Sequence, residues 1–457
     1  MTMSRWTLRG GLAAMALLCV HAGSQANESD SIPRYDLKPG QEFNYHGTSE
    51  FKFENGSHST KTDYQVWVIR KNDDGSYRIV VRSSQKFSQS SSGRQTSEGP
   101  ARVDMAYRDI FPDGRLAPNT SFFQVDPTVI LPRLPQDAAQ AKTGWDGEGV
   151  MDNARTEYTL AKDSDLDAKS WVFEGVNHSL MNKIYDSSSR SKFFFDRKRG
   201  AIRRIENINT QGYGFNGKGT GTTELVSLEQ HDADWTKTFA QESDRYFAAN
   251  QASKDLLMKA SKDAEHAAAL LSETESTLKA AREKLTLPIL QEQIDQQLES
   301  QKGMASYTIE EAKNRAAVLG HAAADWETKD LEGKSHALKD YRGKVVILDF
   351  WYRGCGWCIR AMPQIMQLVD DFKDQPVAVL GMNTDQKEED AKFVVDTMKL
   401  NYPTLKGEGV PEKYHVRGFP TLIIIDQDGN VADVHVGYSP TLRDEVSKSL
   451  KELLAKK

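Results

Sequence analysis

Between Ile32 and about Gln230 apolar and polar residues alternate with a period of two, and Gly, Asn, Asp and Ser punctuate the runs. That period sends successive side chains to opposite faces of a strand, so the region reads as a largely antiparallel sheet, curved or barrel-like. Tyr64–Ile69, the turn Asn72–Ser76 and Tyr77–Val81 make one hairpin; Phe193–Phe195, Asp196–Gly200 and Ala201–Ile205 make another. Glu157–Leu160, Ser170–Phe173 and Thr223–Leu228 are further strands, and the serine-rich stretch Ser83–Ser97 reads as a mobile loop. No cluster of catalytic side chains stands out in this sheet. It is a binding or dimerisation platform or a plain spacer.

From Trp235 the period changes. Leu257, Ala260, Ala264, Ala267, Leu271, Leu278, Ala281 and Leu285 keep three-four spacing, interrupted only by Thr274, which predicts one long amphipathic helix. Pro288 breaks it, because proline lacks the amide donor and clashes with the preceding turn. Leu290, Ile294 and Leu298 resume the stripe, and Tyr307–Leu319 reads as a further short helix ended by Gly320. Such a stripe either zips a coiled-coil homodimer, folds back as a hairpin or packs on the sheet, and its many alanines favour the last two.

Beyond Gly320 strands and helices alternate. The strands are Val345–Phe350, Val377–Met382, Thr421–Ile425 and Val431–Val436, and the helices Gly356–Phe372, Lys387–Lys399 and Thr441–Leu454. The expected fold is therefore multidomain, with an antiparallel β domain over 27–232, a helical segment over 233–319 and an α/β domain over 320–457.

The first 26 residues refine this picture. Arg5 and Arg9, an apolar core from Gly11 to Val20 and a polar end at Ser24-Gln25-Ala26 have the three parts of a cleaved secretory signal, too short to span a bilayer. Leu18 before Cys19 is not the small residue that lipoprotein processing wants. Cleavage after Ala26 removes two arginines and no acids, taking the formal charge from −6 to −8. A mildly acidic, dispersed balance argues against nucleic acid as a partner.

Cleavage also leaves Cys355 and Cys358 as the only cysteines. They sit in Asp349-Phe-Trp-Tyr-Arg-Gly-Cys-Gly-Trp-Cys-Ile-Arg-Ala-Met-Pro363, where an apolar strand ends and a helix begins. Free amides and the helix dipole at that junction favour a thiolate at Cys355, lowering a pKa of ~8.5 toward roughly 3.5–7.5. Cys358, one turn on, is placed to resolve a mixed disulfide at Cys355. A tetrahedral zinc site needs two further ligands, and His415 and His435 form no spaced pair. As a structural staple, so short a loop would contribute little. The pair reads as a redox couple.

On these residues the chain from about Gly320 resembles the thioredoxin superfamily, and within it the extracytoplasmic TlpA and ResA-like thiol-disulfide oxidoreductases. Leu331-Glu332-Gly333-Lys334 and Tyr341–Val346 are similar to that branch's opening strands, and Gly418-Phe419-Pro420-Thr421 to its cis-proline loop. Gly437 matches a glycine beside the active site, and Pro363 falls where the first helix kinks. The resemblance implies a catalytic set of Cys355, Cys358, Asp349 and Pro420, with Asp349 as the buried acid that shuttles the proton of the second cysteine. The glutamate that ResA-like proteins carry three residues after that cysteine is here Ala361. Trp351, Trp357, Phe419 and Gly437 are expected at the client, whose extended chain would pair beside Phe419 while Pro420 keeps metal off the dithiol. Arg353 is either a thiolate-tuning charge or a solvated one.

Trp357 departs from thioredoxin, which has proline there, and so leaves the direction of electron flow open. Reduction of protein disulfides is the first reading and isomerisation the second. No cofactor beyond the Cys355–Cys358 disulfide is implied, and a membrane thiol relay is implied as electron donor. Two other classes remain: a thiol peroxidase, for which the Thr-x-x-Cys surrounding is missing, and an envelope client-binding protein with an accessory redox module.

Overall fold

The computed structural model describes residues 32–91, 94–118, 125–148, 154–161, 170–214 and 216–455. The secretory signal expected over 1–26, with Cys19, lies outside the described residues. No described helix is long and apolar enough to cross a membrane.

The first sheet contains β1 (Gln41–Phe53), β2 (Gly56–Lys71), β3 (Tyr77–Ser91), β4 (Arg94–Glu98) and β5 (Arg102–Ile110). After the short helix α1 (Ala138–Thr143) come β6 (Trp145–Glu148), β7 (Arg155–Leu160) and β8 (Ser170–His178). A five-residue helix, α2 (Leu180–Ile184), leads to β9 (Ser187–Asp196), β10 (Ala201–Gln211) and β11 (Gly217–Gln230). All pairings are antiparallel, in the order β4-β3-β2-β1-β11-β10-β9-β8-β7-β6, with β5 also on β3. The path has two ends, so among the described residues the sheet is open and not a closed barrel.

Both predicted hairpins form, with Gly75 at φ +84° in the first turn. The serine-rich stretch is a correction. Ser83–Ser91 is strand, paired with β2 on one side and with β4 and β5 on the other. A backbone ladder does not need apolar side chains, and long neighbours on both sides override a composition that reads as loop.

Three helices follow: α3 (Ala233–Ala260), α4 (Ala267–Arg282) and α5 (Pro288–Val318). The single long helix expected over Leu257–Leu285 is therefore two, broken at Ser261–His266, where Asp263 accepts from the His266 amide. Conversely, Tyr307–Val318 is no separate helix but the end of α5. The apolar stripe continues across both places, and periodicity alone does not report a break that keeps phase. Asn250 and Ser253 of α3 accept from Gln297 and Gln301 of α5, so α3 and α5 run parallel and α4 returns between them.

The stripe is filled by this chain. Phe239, Tyr246, Leu278, Leu290, Ile294 and Leu298 pack with Trp67, Ile69, Val80 and Met105 of the sheet. Thr274 is buried in the seam because its hydroxyl returns a bond to the Leu270 carbonyl. Of the stripe, Leu278, Leu285, Leu290, Ile294 and Leu298 are thus covered by this chain, while Leu257 and Leu271 are half-buried.

Glu242 locks the bundle. Its carboxylate accepts from the Thr286 amide (2.9 Å) and hydroxyl (2.7 Å) and from the Leu287 amide (3.0 Å). Burial pushes this carboxyl up, but those bonds win and hold it below the usual glutamate range. Glu242→Ala would take the carboxylate partner from the Thr286 and Leu287 amides and the Thr286 hydroxyl, and we expect it to cost about 1–2 kcal/mol in urea unfolding. Stability unchanged within error would contradict the locking role.

Beyond Gly320 (φ +78°) lie β12 (Glu327–Lys329), β13 (Ser335–Ala337), β14 (Val345–Trp351), α6 (Gly356–Asp371), β15 (Val377–Asn383) and α7 (Glu388–Met398). They are followed by β16 (Thr404–Lys406), α8 (Val410–Lys413), β17 (Thr421–Ile425), β18 (Val431–Val436) and α9 (Leu442–Ala455). The sheet order is β16-β15-β14-β17-β18, with β14, β15 and β16 parallel and β17 and β18 antiparallel to their neighbours. All four strands and three helices expected here form. The centre strand β14 is buried along its whole length. Val345 and Ile347 face α6 and α9, and Val346, Leu348 and Phe350 face Trp326, Leu338 and Tyr414. Arg315 of α5 ties the bundle to this sheet through Asp433 and the Val434 carbonyl.

Candidate active site

The alternation that buries β14 also places the chemistry. Asp349 and Trp351 share the parity of Ile347 and so lie on the face that carries α6. Four residues later Cys355 is the N-cap of α6, and its Sγ accepts from the Cys358 amide at 3.1 Å. The two cysteines form a disulfide with Cα atoms 5.2 Å apart. Cys355 is 6% exposed and Cys358 1%, so the N-terminal sulfur is the more accessible.

Asp349 is fully enclosed, its Oδ2 accepting from the Tyr402 hydroxyl at 3.0 Å. Burial pushes its carboxyl up to about 7, the Tyr402 bond opposing only in part. It is thus poised to exchange a proton near neutral pH. Trp351 is wholly buried and packs with both cysteines, Ile359 and Met362. It has no surface to offer a client. Gly381 on β15 makes room for it: a Cβ there would lie 2.9 Å from the indole nitrogen.

On the outer side the Phe419–Pro420 bond is cis, and the Pro420 carbonyl accepts from the Gly437 amide at 2.8 Å. Gly437 has φ +83°, a left-handed backbone that favours glycine. Phe419 is half-buried against the core, its ring edge-on to Tyr352. Trp357 is 43% exposed, stacked on Tyr438 with the Arg360 guanidinium 4.7 Å from its ring. The structure thus packs Trp351 and Phe419 with Cys355 and Cys358 in one cluster and puts Trp357 in the first turn of α6, while Asp349 lies on β14 with Tyr402 and Pro420 is tied to Gly437. Pro363 lies inside α6.

Arg353 is not the solvated surface charge that was one of its two expected roles. Its guanidinium bonds Asp390 at 2.9 Å and, through two nitrogens, the Ile184 carbonyl at 3.2 and 2.9 Å. It is neither solvated nor hydrogen-bonded to a sulfur. Its amide donates to both oxygens of Asp385, which fixes the turn before Cys355.

Four similarities to known proteins stand beside this geometry. The AhpC/TSA family pattern matches residues 319–434. Thiol-disulfide oxidoreductase ResA of Halalkalibacterium halodurans is 34% identical over 137 residues, which is 30% of this chain and 78% of that protein. The chain belongs to the AhpC/TSA family. This thioredoxin-like membership is carried by the last third of the chain, and its enzymatic class is thiol-disulfide oxidoreductase. Thioredoxin-like protein YneN of Bacillus subtilis is 34% identical over 122 residues, 26% of this chain and 71% of that protein. Among solved structures, a putative thiol:disulfide interchange protein DsbE from Chlorobium tepidum is 29% identical, covering 30% of this chain and 98% of that one, with a TM-score of 0.29.

In this AhpC/TSA family member several residues near the dithiol went unread in the sequence. Tyr402 lies 53 positions from Asp349, and no local pattern links them. Asp385 and Asp390, which hold Arg353, belong to no motif in the sequence. Ile184, Met181 and Tyr185 of the first sheet pack on the redox turn, and nothing in their own stretch announced it.

Proposed function

We propose that the protein reduces disulfides of client proteins outside the cytosol, with Cys355 as nucleophile and Cys358 as resolving thiol. The observation that carries this reading is the Cys355–Cys358 disulfide capping α6, at the end of the strand that holds the enclosed Asp349 and with Phe419 of the cis-proline turn packed against the same cluster. In the reduced state the Cys355 thiolate attacks one sulfur of a client disulfide. That S–S bond breaks, one client sulfur leaves as thiolate with the electron pair, and the other is joined to Cys355. Asp349 then takes the Cys358 proton, and the Cys358 thiolate attacks Cys355 Sγ. The second client thiolate leaves. Two electrons have passed to the client, and its thiolates regain two protons, one through Asp349 and one from water.

Trp357, Phe419 and Gly437 would contact the client's extended segment, and Trp351 would act from beneath by packing the sulfurs. With its charge committed elsewhere, Arg353 would position the turn. A membrane thiol relay would restore the dithiol. The layout that goes with this reading is a cleaved signal over 1–26, a β domain over 27–232, a helical segment over 233–319 and the redox domain over 320–457. Isomerisation is the second reading, favoured by the exposed Trp357.

Cys358→Ser is expected to trap mixed disulfides in an envelope fraction, with Cys355 as the linked residue in peptide mass spectra. Adducts absent from the envelope and from purified disulfide proteins alike would sink the reading. Recovery of scrambled ribonuclease activity faster than insulin reduction would favour isomerisation.

A further inference from the structure

The residues that cover Cys355 come from the first sheet. Between β8 and β9 the chain leaves the sheet as an arm, Ser179–Asp186, whose middle is the five-residue helix α2. Ile184 is wholly buried in one cluster with Trp351, Cys355 and Cys358, and Leu180, Met181 and Tyr185 pack against the same cluster. Tyr185 Oη donates to the Gly354 carbonyl at 3.2 Å, next to the nucleophile. A Cβ built on Gly356 would lie 3.2 Å from Met181 Cε and 3.5 Å from Tyr185 Oη. Arg353 holds the end of the arm by its carbonyl at Ile184 and is itself sandwiched between Tyr213 and Phe393.

We propose that this arm is a gate: it occupies the face through which a protein thiol must reach Cys355, and exchange requires it to lift. Resting on the reading of Cys355 as nucleophile, the inference gives the N-terminal sheet a function, control of access to the dithiol.

Three observations support displacement over permanent cover. A helix of five residues has no stability of its own and persists only through what it packs on. The contact is made by apolar packing of Leu180, Met181 and Ile184, joined by the bonds of Tyr185 to Gly354 and of Arg353 to Ile184. The arm is tethered to the sheet at Asn182 through the Asn177 carbonyl and at Tyr185 through the Gly212 and Tyr213 amides, and Asp186 (φ +48°) sits in the left-handed region at the base. The arm can swing without leaving the domain. Beside it a cleft of about 770 Å³, lined by Asn177, Asn182, Lys183, Gln364 and Tyr438, gives it room.

The gated step is thiol-disulfide exchange on the oxidised enzyme. An incoming thiolate supplies the electron pair for its new bond to Cys355 Sγ, and Cys358 departs with the pair of the bond that breaks. A second thiolate from the same donor completes the two-electron reduction.

The test uses the full mature chain and two reductants, dithiothreitol and reduced thioredoxin, a bulky protein dithiol. Met181→Ser with Tyr185→Phe removes cover and the Gly354 bond. With a closed fraction above nine-tenths, the thioredoxin rate constant should rise about tenfold or more, and the dithiothreitol rate constant by much less. Equal rises for both reductants, or none, overturn the gate. An oxidised wild type that neither reductant reduces would instead overturn the reading of Cys355. Should the double variant misfold by circular dichroism, hydrogen exchange on Cys358→Ser decides. Joining a protein thiol to Cys355 should deprotect the amides of residues 182–185 about tenfold or more against the unjoined protein, and unchanged protection overturns the gate.

Discussion

Cys355→Ser is expected to lower the rate of insulin disulfide reduction by about three orders of magnitude or more, to the background of free thiol in solution. A hydroxyl at the N-cap of α6 keeps the helix capped but supplies no thiolate, so the fold survives while the first attack is lost. Cys358→Ser should differ in kind. It retains the first attack and stops after one equivalent of client thiol is released per enzyme, because nothing resolves the mixed disulfide. A burst of one equivalent from Cys355→Ser and none from Cys358→Ser would exchange the two roles.

Asp349→Asn should make the oxidised protein more stable in a pH-dependent way. Asp349 titrates at about 7 in the fold, against an ordinary value of 3.8. The folded state therefore keeps a proton that the unfolded state has lost, and the contribution of this group to stability falls as pH rises from about 4 to about 7. Asparagine carries no such titration and still accepts the Tyr402 hydroxyl. The variant should match the parent near pH 4 and exceed it at pH 8 by on the order of 3 kcal/mol in urea unfolding. Resolution by Cys358 should slow about a hundredfold, since the base that removes its proton is gone. A stability difference that does not change between pH 4 and pH 8 would show that burial does not raise the Asp349 carboxyl.

The redox domain was legible because its signals are local. β14 is a continuous apolar run between turn residues, α6 starts at its own cysteine cap, and Asp426–Asn430 turns β17 into β18 within a few residues. Where signals stayed in phase across a break, reading failed, as at Ser261–His266. Polar composition misled at Ser83–Ser91, since pairing by two neighbouring strands is invisible in the strand itself.

By itself the order of residues determined the dithiol, the acid within an apolar strand and the alternation that sends Asp349 to the α6 side, because all three depend on spacing along one strand and one helix. Tertiary structure decided what those groups touch. Tyr402 reaches Asp349 across 53 positions and Tyr185 reaches Gly354 across 169, and such contacts arise only when separate elements pack. It also decided that the central stripe is spent on the sheet and that the nucleophile lies under an arm of another region, since burial is a property of the whole packed surface and not of any one segment.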